Sequence, residues 1–319
     1  MAQPLFTNRW PHANHGVRDI LRWKMGCPPV EAPVIPGAPD APAESTPVDP
    51  ENFRQIPSCG WRAMWLGHAS FLLQGCGKSI LIDPVFSDYC SPIPIAALKR
   101  KIPTPCALSD LPPIDAILLT HNHYDHLDLS TLRDLGDVSE IVISEGNAAW
   151  LGKKLGRQVR ELAWDQTLAL SPGITVTATP AQHFSSRTPF DRDRSHWCGF
   201  LIEGGGLKLW HVGDSGYSAD FIDIGNRHGP IDFAMIPIGA YQPSAIMRPM
   251  HMNPEEAVQA FIDARCHTAV AMHWGTFALT DEPMGEPPLR LQREIERRGL
   301  PPSSFTAPKA GEILPISKG

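Results

Sequence analysis

The sequence predicts an α/β protein built as a four-layer αββα sandwich. Three observations carry that expectation. Short, continuous, β-prone apolar runs recur from Trp61 onward, each too short for a buried helix. They come first in a run and then alternate with helix-like stretches. That order appears twice along the chain, so two sheet-plus-helix halves packed sheet to sheet would bury every apolar face.

The elements follow in order. Residues 1–57 read as an N-terminal extension and proline-rich strap, ahead of a domain over 58–319. Within the extension, 17–24 fit a short amphipathic helix, with Trp10, Ile20, Leu21, Trp23 and Met25 set among basic residues. It is expected to pack on the domain surface, and peripheral contact with a membrane stays open. From Cys27 to Pro57 the prolines Pro28, Pro29, Pro33, Pro36, Pro39, Pro42, Pro47 and Pro50 exclude helix and central strand.

Strands are then expected at 61–66, 70–74 and 79–82, with Gly75 and Gly77 at the last turn and Asp83 and Pro84 closing the third. The proline-broken stretch 91–113 reads as a flap. Strands at 116–119, 141–144 and 159–162 alternate with helices at 129–135 and 147–155. The second series places strands at 175–179, 198–202, 207–212, 233–237 and 269–273, and helices at 218–226, 254–264 and 289–298. Pro254 suits a first helical turn, with Asn253 as N-cap and Glu255 and Glu256 against the helix dipole.

A chain of 319 residues with net charge −6 has ample material for a core and lacks the basic balance of a nonspecific nucleic-acid binder. Seven cysteines without a CxxC pair argue against a disulfide framework and for a reducing, cytoplasmic setting. Cys76, Cys198 and Cys266 lie in apolar stretches and are expected in the core. Met1 to Phe6 show no signal-peptide pattern, and no run of about 18 apolar residues marks a membrane span.

The chemistry concentrates after the 116–119 strand, in Thr120, His121, Asn122, His123, Tyr124, Asp125, His126, Leu127 and Asp128. On a loop leaving a strand, alternate residues point the same way, so His121 and His123 can converge on one ion. Asp125 and His126 diverge and suit a second ion alongside. Three further apolar strands end in a metal-ligand type: one runs into His183, one into Asp214 and one into His273. The combination points to a dinuclear metal hydrolase.

These motifs resemble the metallo-β-lactamase superfamily, whose hallmark is this HxHxDH loop with later His, Asp and His ligands. The likeness spans roughly residues 60–290 and is nearest to the N-acyl-phosphatidylethanolamine-hydrolysing phospholipase D group. It rests on residues 121–128, Gly213 to Tyr217, Ile236 to Tyr241, His251 to Ala257 and His273 to Leu279. The resemblance implies that His121, His123 and His183 bind one Zn2+. Asp125, His126 and His273 would bind the other, and Asp214 would bridge the two. Mn2+ or Fe2+ would also suit these ligands. The reaction implied is phosphodiester cleavage by a metal-bridging hydroxide, with a phospholipid or other small molecule as substrate. Another ester hydrolysis, such as lactone opening, would use the same scaffold. Arg187, Arg192, Arg194 and Arg248 would serve a small polar pocket for it, whereas a lipid would need a wide apolar channel. His123 stands where flavin-partnered oxygen reductases carry Glu, which favours hydrolysis.

Around these ligands, Asp83 is expected to hold a metal-ligating histidine by hydrogen bond, and His68, between two strands, reads as a satisfied structural histidine or as one that faces the cavity. In the relatives the histidine matching His251 lies at the active site, so His251, with Asp125, is a catalytic candidate. Tyr217 and Tyr241 read as packing aromatics more than cleft donors, His211 as core, and Asp128 as the cap of the next helix. Oligomeric state is not legible.

Overall fold

A computed structural model describes residues 6–13, 15–27, 30–136 and 138–319. The remaining residues, including Met1 to Leu5 at the N-terminus and Pro28 and Pro29 of the strap, lie outside the described ones.

Fourteen strands fall into two seven-stranded sheets among the described residues. In chain order they are β1 (Trp61–Gly67), β2 (Ser70–Gly75), β3 (Lys78–Ile82), β4 (Ala116–Leu119), β5 (Glu140–Ser144), β6 (Arg160–Leu162) and β7 (Thr167–Ser171). Then come β8 (Ile174–Thr179), β9 (Gly199–Gly204), β10 (Leu207–His211), β11 (Ile231–Pro237), β12 (Cys266–Met272), β13 (Phe305–Thr306) and β14 (Ile313–Ile316). The first sheet is ordered β14-β1-β2-β3-β4-β5-β6 and the second β13-β12-β11-β10-β9-β8-β7.

Strand periodicity explains the layers. On β1, Ala63 and Trp65 enter the core shared by both sheets, while Met64 and Leu66 enter a separate core on the outer face. That outer core takes Leu132 and Leu151, from α3 (Leu129–Asp134) and α4 (Ala148–Leu155) in the chain's helix order. On the second sheet, α5 (Asp220–His228), α7 (Pro254–Asp263) and α8 (Glu286–Arg298) contribute Phe221, Phe261 and Leu291 to the main core. Trp61 ties the sheets together, its buried Nε1–H donating to Gly204 O at 2.9 Å. The expected αββα sandwich is therefore the observed architecture.

Most expected elements shift only at their ends. Strands β7, β13 and β14 and the one-turn helices α2 (Glu51–Arg54) and α6 (Ser244–Met247) were not expected. Strand β14 contains Pro315, which cannot donate to a ladder, but the strand lies at a sheet edge with only β1 beside it, where proline is tolerated. The last helix begins at Glu286, since Pro287 and Pro288 fit its first turn. Of the three cysteines expected in the core, only Cys198 is buried. Cys76, in the β2–β3 turn, and Cys266, at the start of β12, are half-buried against it.

The helix α1 (Val17–Lys24) forms as expected and packs on the domain, with Trp23 buried against Ile246, Met247 and Met250. Among the described residues no helix is long and apolar enough to cross a membrane. Helix α7 carries a full capping box: Asn253 Oδ1 accepts from Glu256 N at 2.8 Å and Glu256 Oε2 from Asn253 N at 3.3 Å. Asn253→Ala should lower stability by about 1 kcal/mol, read as a lower urea midpoint at unchanged slope, and Asn253→Ser should recover most of it.

Candidate metal centre

Strand direction gathers the candidate ligands. Strand β8 is antiparallel to β9, and β9 to β10, while β10, β11 and β12 are parallel, so β8, β10 and β12 run the same way. Their C-terminal ends deliver His183, Asp214 and His273 to one edge of the second sheet. The loop after β4 meets them from the first sheet.

Two groups of side chains form there. Nδ1 of His123 lies 2.9 Å from His121 Nε2 and 3.2 Å from His183 Nε2. Asp125, His126, His273 and His68 make the second group, their candidate ligand atoms all within 4.8 Å of one another. A single oxygen joins the two. Asp214 Oδ2 is 3.0 Å from His273 Nε2 and 3.1 Å from His126 Nε2, and 3.7 and 3.9 Å from the Nε2 atoms of His183 and His121. All seven residues singled out from the sequence as ligands meet in this one place.

The surrounding hydrogen bonds select the ring nitrogen that faces inward. His126 Nδ1 lies 2.7 Å from Asp83 Oδ2, and His183 Nδ1 3.0 Å from the Met250 carbonyl. Thr120 Oγ1 donates to Asp83 Oδ2 at 2.6 Å and so can accept from His121 Nδ1 at 2.9 Å. Each contact places a proton on Nδ1 and turns Nε2 toward Asp214. Thr120 was not singled out from the sequence; its place, directly ahead of His121 at the strand end, was the available signal. His68 Nε2 lies 2.9 Å from Asp125 Oδ2, so His68 supports that carboxylate. His68, Asp83 and His273 all hold positive φ, at 52°, 43° and 59°. Backbone strain of this kind persists where the surrounding structure over-determines the conformation, commonly at functional sites.

His251 completes the wall. One of its ring nitrogens lies within 4.8 Å of ligand atoms of Asp214 and His273, and its ring is 4.9 Å from that of His183. Tyr241 and Tyr217 turn elsewhere. Tyr241 donates to Glu286 Oε2 at 2.7 Å, and Tyr217 donates to Asp263 and stacks on Phe221. Asp128 caps α3 through Ser130 N, and His211 is buried with its Nε2 2.9 Å from Ala69 O.

A cation fits this cage. His273 Nδ1 and Asp214 Oδ1 are buried without a hydrogen-bond partner among the described residues. Such atoms are costly unless something pairs with them. Imidazole and carboxylate with no thiolate is a donor set suited to zinc. The electrostatics agree. Burial pushes His123 and His251 down to about 4 and His68 to about 3, so all three are neutral near pH 7. Burial would lower His273 as well, but the charge on Asp214 and the hydrogen bonds to Asp125 and Asp214 outweigh it and raise His273 to about 9. His126 is raised in the same way, well above the ordinary range. These two cations balance the buried carboxylates when no metal does.

That balance has a measurable consequence. His273 moves up from 6.5 to about 9 in the folded, metal-free chain, so its stabilising contribution is complete below pH 6.5 and is lost as pH rises toward 9. The melting temperature of chelator-treated protein should therefore fall over that window. Metal-loaded protein should show no such fall there, since the metal takes the proton's place.

A family model described as the beta-lactamase superfamily domain matches residues 78–274. The chain belongs to this superfamily. It stands among the superfamily's metal-dependent hydrolases. An N-acyl-phosphatidylethanolamine-hydrolyzing phospholipase D of Caenorhabditis elegans is 34% identical over 81% of this chain and 76% of its own length. A metal-dependent hydrolase of Methanosarcina mazei is 34% identical over 67% of this chain and 83% of its own. Among solved structures, Igni18, a metallo hydrolase from the archaeon Ignicoccus hospitalis, superposes with a TM-score of 0.63 at 23% identity. That likeness covers 81% of this chain and 99% of Igni18, and it bears on the fold of this superfamily member alone.

Proposed function

We propose that this superfamily member is a dinuclear zinc phosphodiesterase acting on a phospholipid or a related phosphodiester. The observation that carries the dinuclear reading is Asp214 Oδ2, within 3.0–3.9 Å of four imidazole nitrogens drawn from both groups. On this reading His121, His123 and His183 hold one ion, Asp125, His126 and His273 the other, and Asp214 both. Bound there, two ions would supply a nucleophile at neutral pH and neutralise charge on the phosphate oxygens.

The protein's own residues do the rest. Asp83 and Thr120 fix the His126 and His121 tautomers, and His68 holds Asp125 in place. His251 Nδ1 is buried and has no hydrogen-bond partner among the described residues, and the ring is neutral at pH 7. It can therefore take up a proton or hydrogen-bond a phosphate oxygen beside Asp214. The choice of a phosphodiester is supported by the phospholipase D relative, which covers most of the chain. A lactone pocket lined by arginines has less support. Arg187 donates from Nη1 to the carbonyls of Asn122 and Leu127 and packs over the Tyr124 ring, and Arg248 pairs with Glu256. For a lipid, the N-terminal stretch that carries Phe6 and Trp10 lines a cavity of about 450 Å³ reaching His183.

A panel of bis-p-nitrophenyl phosphate, an N-acyl-phosphatidylethanolamine and a lactone tests the substrate class on zinc-loaded protein. Hydrolysis of the two phosphodiesters is expected. Turnover of the lactone alone would overturn the phosphodiesterase assignment while leaving the metal centre intact.

A further inference from the structure

The segment ahead of α1 lies outside the family match at 78–274 and was grouped above with the extension, yet it reaches the metal centre. Asn8 pairs with the main chain of His183 from both sides. Its Nδ2 donates to His183 O at 2.8 Å, and its Oδ1 accepts from His183 N at 3.0 Å. The same Oδ1 accepts from Trp197 Nε1 at 3.0 Å, and Nδ2 lies 3.1 Å from His12 Nε2. Two N–H groups converge on one end of the amide and a carbonyl on the other, so the orientation of the side chain is forced and its hydrogen-bonding capacity is filled.

His183 follows β8 on an irregular stretch, and among the described residues no strand partner takes these two backbone groups. Asn8 acts as that missing strand. Its pairing fixes the main chain, the Met250 carbonyl fixes Nδ1, and together they aim Nε2 at His123 Nδ1. Anchors to either side seat the segment. Phe6 N donates to Asp193 O, Arg9 pairs with Asp165 at 2.5 Å, and the Phe6 ring packs on His196.

We propose that Asn8 is a positioning residue of the metal centre, holding His183 in its ligating pose. The assignment rests on the reading of His183 as a ligand. Asp would preserve the size and the accepting oxygen but set a second oxygen against the His183 carbonyl, while Ala would remove both contacts.

The test is metal affinity of the full-length protein, measured by zinc competition with a chromogenic chelator and by the visible spectrum of the cobalt-loaded form. The melting temperature of metal-free protein is followed in parallel. Asn8→Asp and Asn8→Ala should each weaken one metal equivalent by about 10–100-fold and change the cobalt spectrum. Arg9→Ala, which loosens the same segment without touching His183, should leave affinity and spectrum as in wild type. Wild-type affinity in both Asn8 variants, or an equal loss in Arg9→Ala, would overturn the proposal. His183→Ala separates the two levels. If it keeps both equivalents at wild-type affinity, the ligand reading fails and Asn8 with it; if it alone loses one, only the Asn8 assignment fails.

Discussion

Asp214→Asn should abolish hydrolysis, with a loss of about 10³-fold or more in kcat/KM. The substitution keeps size and shape, so packing is not the cause. What changes is the one buried oxygen that approaches His126 and His273 at 3.1 and 3.0 Å and the first group at under 4 Å. An amide carries no charge to offset two cations, and its N–H end would oppose the N–H groups of the protonated His126 and His273 rings. The metal-free protein should change too. The charge of Asp214 is the largest influence raising His126 and His273, so the fall in melting temperature between pH 6.5 and 9 should flatten in the variant. Full activity in Asp214→Asn, or an unchanged pH profile of the metal-free chain, would show that this oxygen does not organise the site.

Asp83→Asn should cost about 10–100-fold in metal affinity or activity and about 1–3 kcal/mol in stability. Asp83 is fully buried. It accepts from Thr120 N at 2.8 Å, faces the Thr120 hydroxyl at 2.6 Å and lies 2.7 Å from His126 Nδ1. Replacing Oδ2 by an amide nitrogen sets N–H against the Thr120 hydroxyl and the His126 ring, which frees His126 to change tautomer or rotate. Replacing Oδ1 instead sets N–H against the Thr120 amide. Either outcome should appear as weaker binding of one metal equivalent in a chelator competition, together with a lower urea midpoint. A variant with wild-type affinity at both positions would mean that Asp83 is a turn former only.

How legible this was depended on whether the signal was local. An apolar strand followed by a ligand residue is local, so His121, His123, His183, Asp214 and His273 could each be picked out, and the two mixed sheets then had to bring them together. Asp128 and Asn253 announced their helix caps in the same way. Strand β14 could not be read, because Pro315 argues against a strand unless its edge position is known. Strand β7, half-exposed along its length, lacks the apolar run that marked the others. The role of Asn8 was illegible for a further reason: it lies 175 residues from His183, and nothing in its neighbourhood marks an asparagine as a backbone partner. The arginines illustrate the reverse error. Arg187 stood near the site in sequence and looked available for substrate, but its Nη1 donates to two carbonyls of the metal loop and its guanidinium packs over the Tyr124 ring.

The most direct measurement is the metal content of purified, zinc-reconstituted protein by inductively coupled plasma mass spectrometry, wild type beside Asp214→Asn. Two equivalents per chain in wild type, falling to one or none in the variant, is the expected result. One equivalent or fewer in fully active wild-type protein would contradict a dinuclear centre bridged by Asp214.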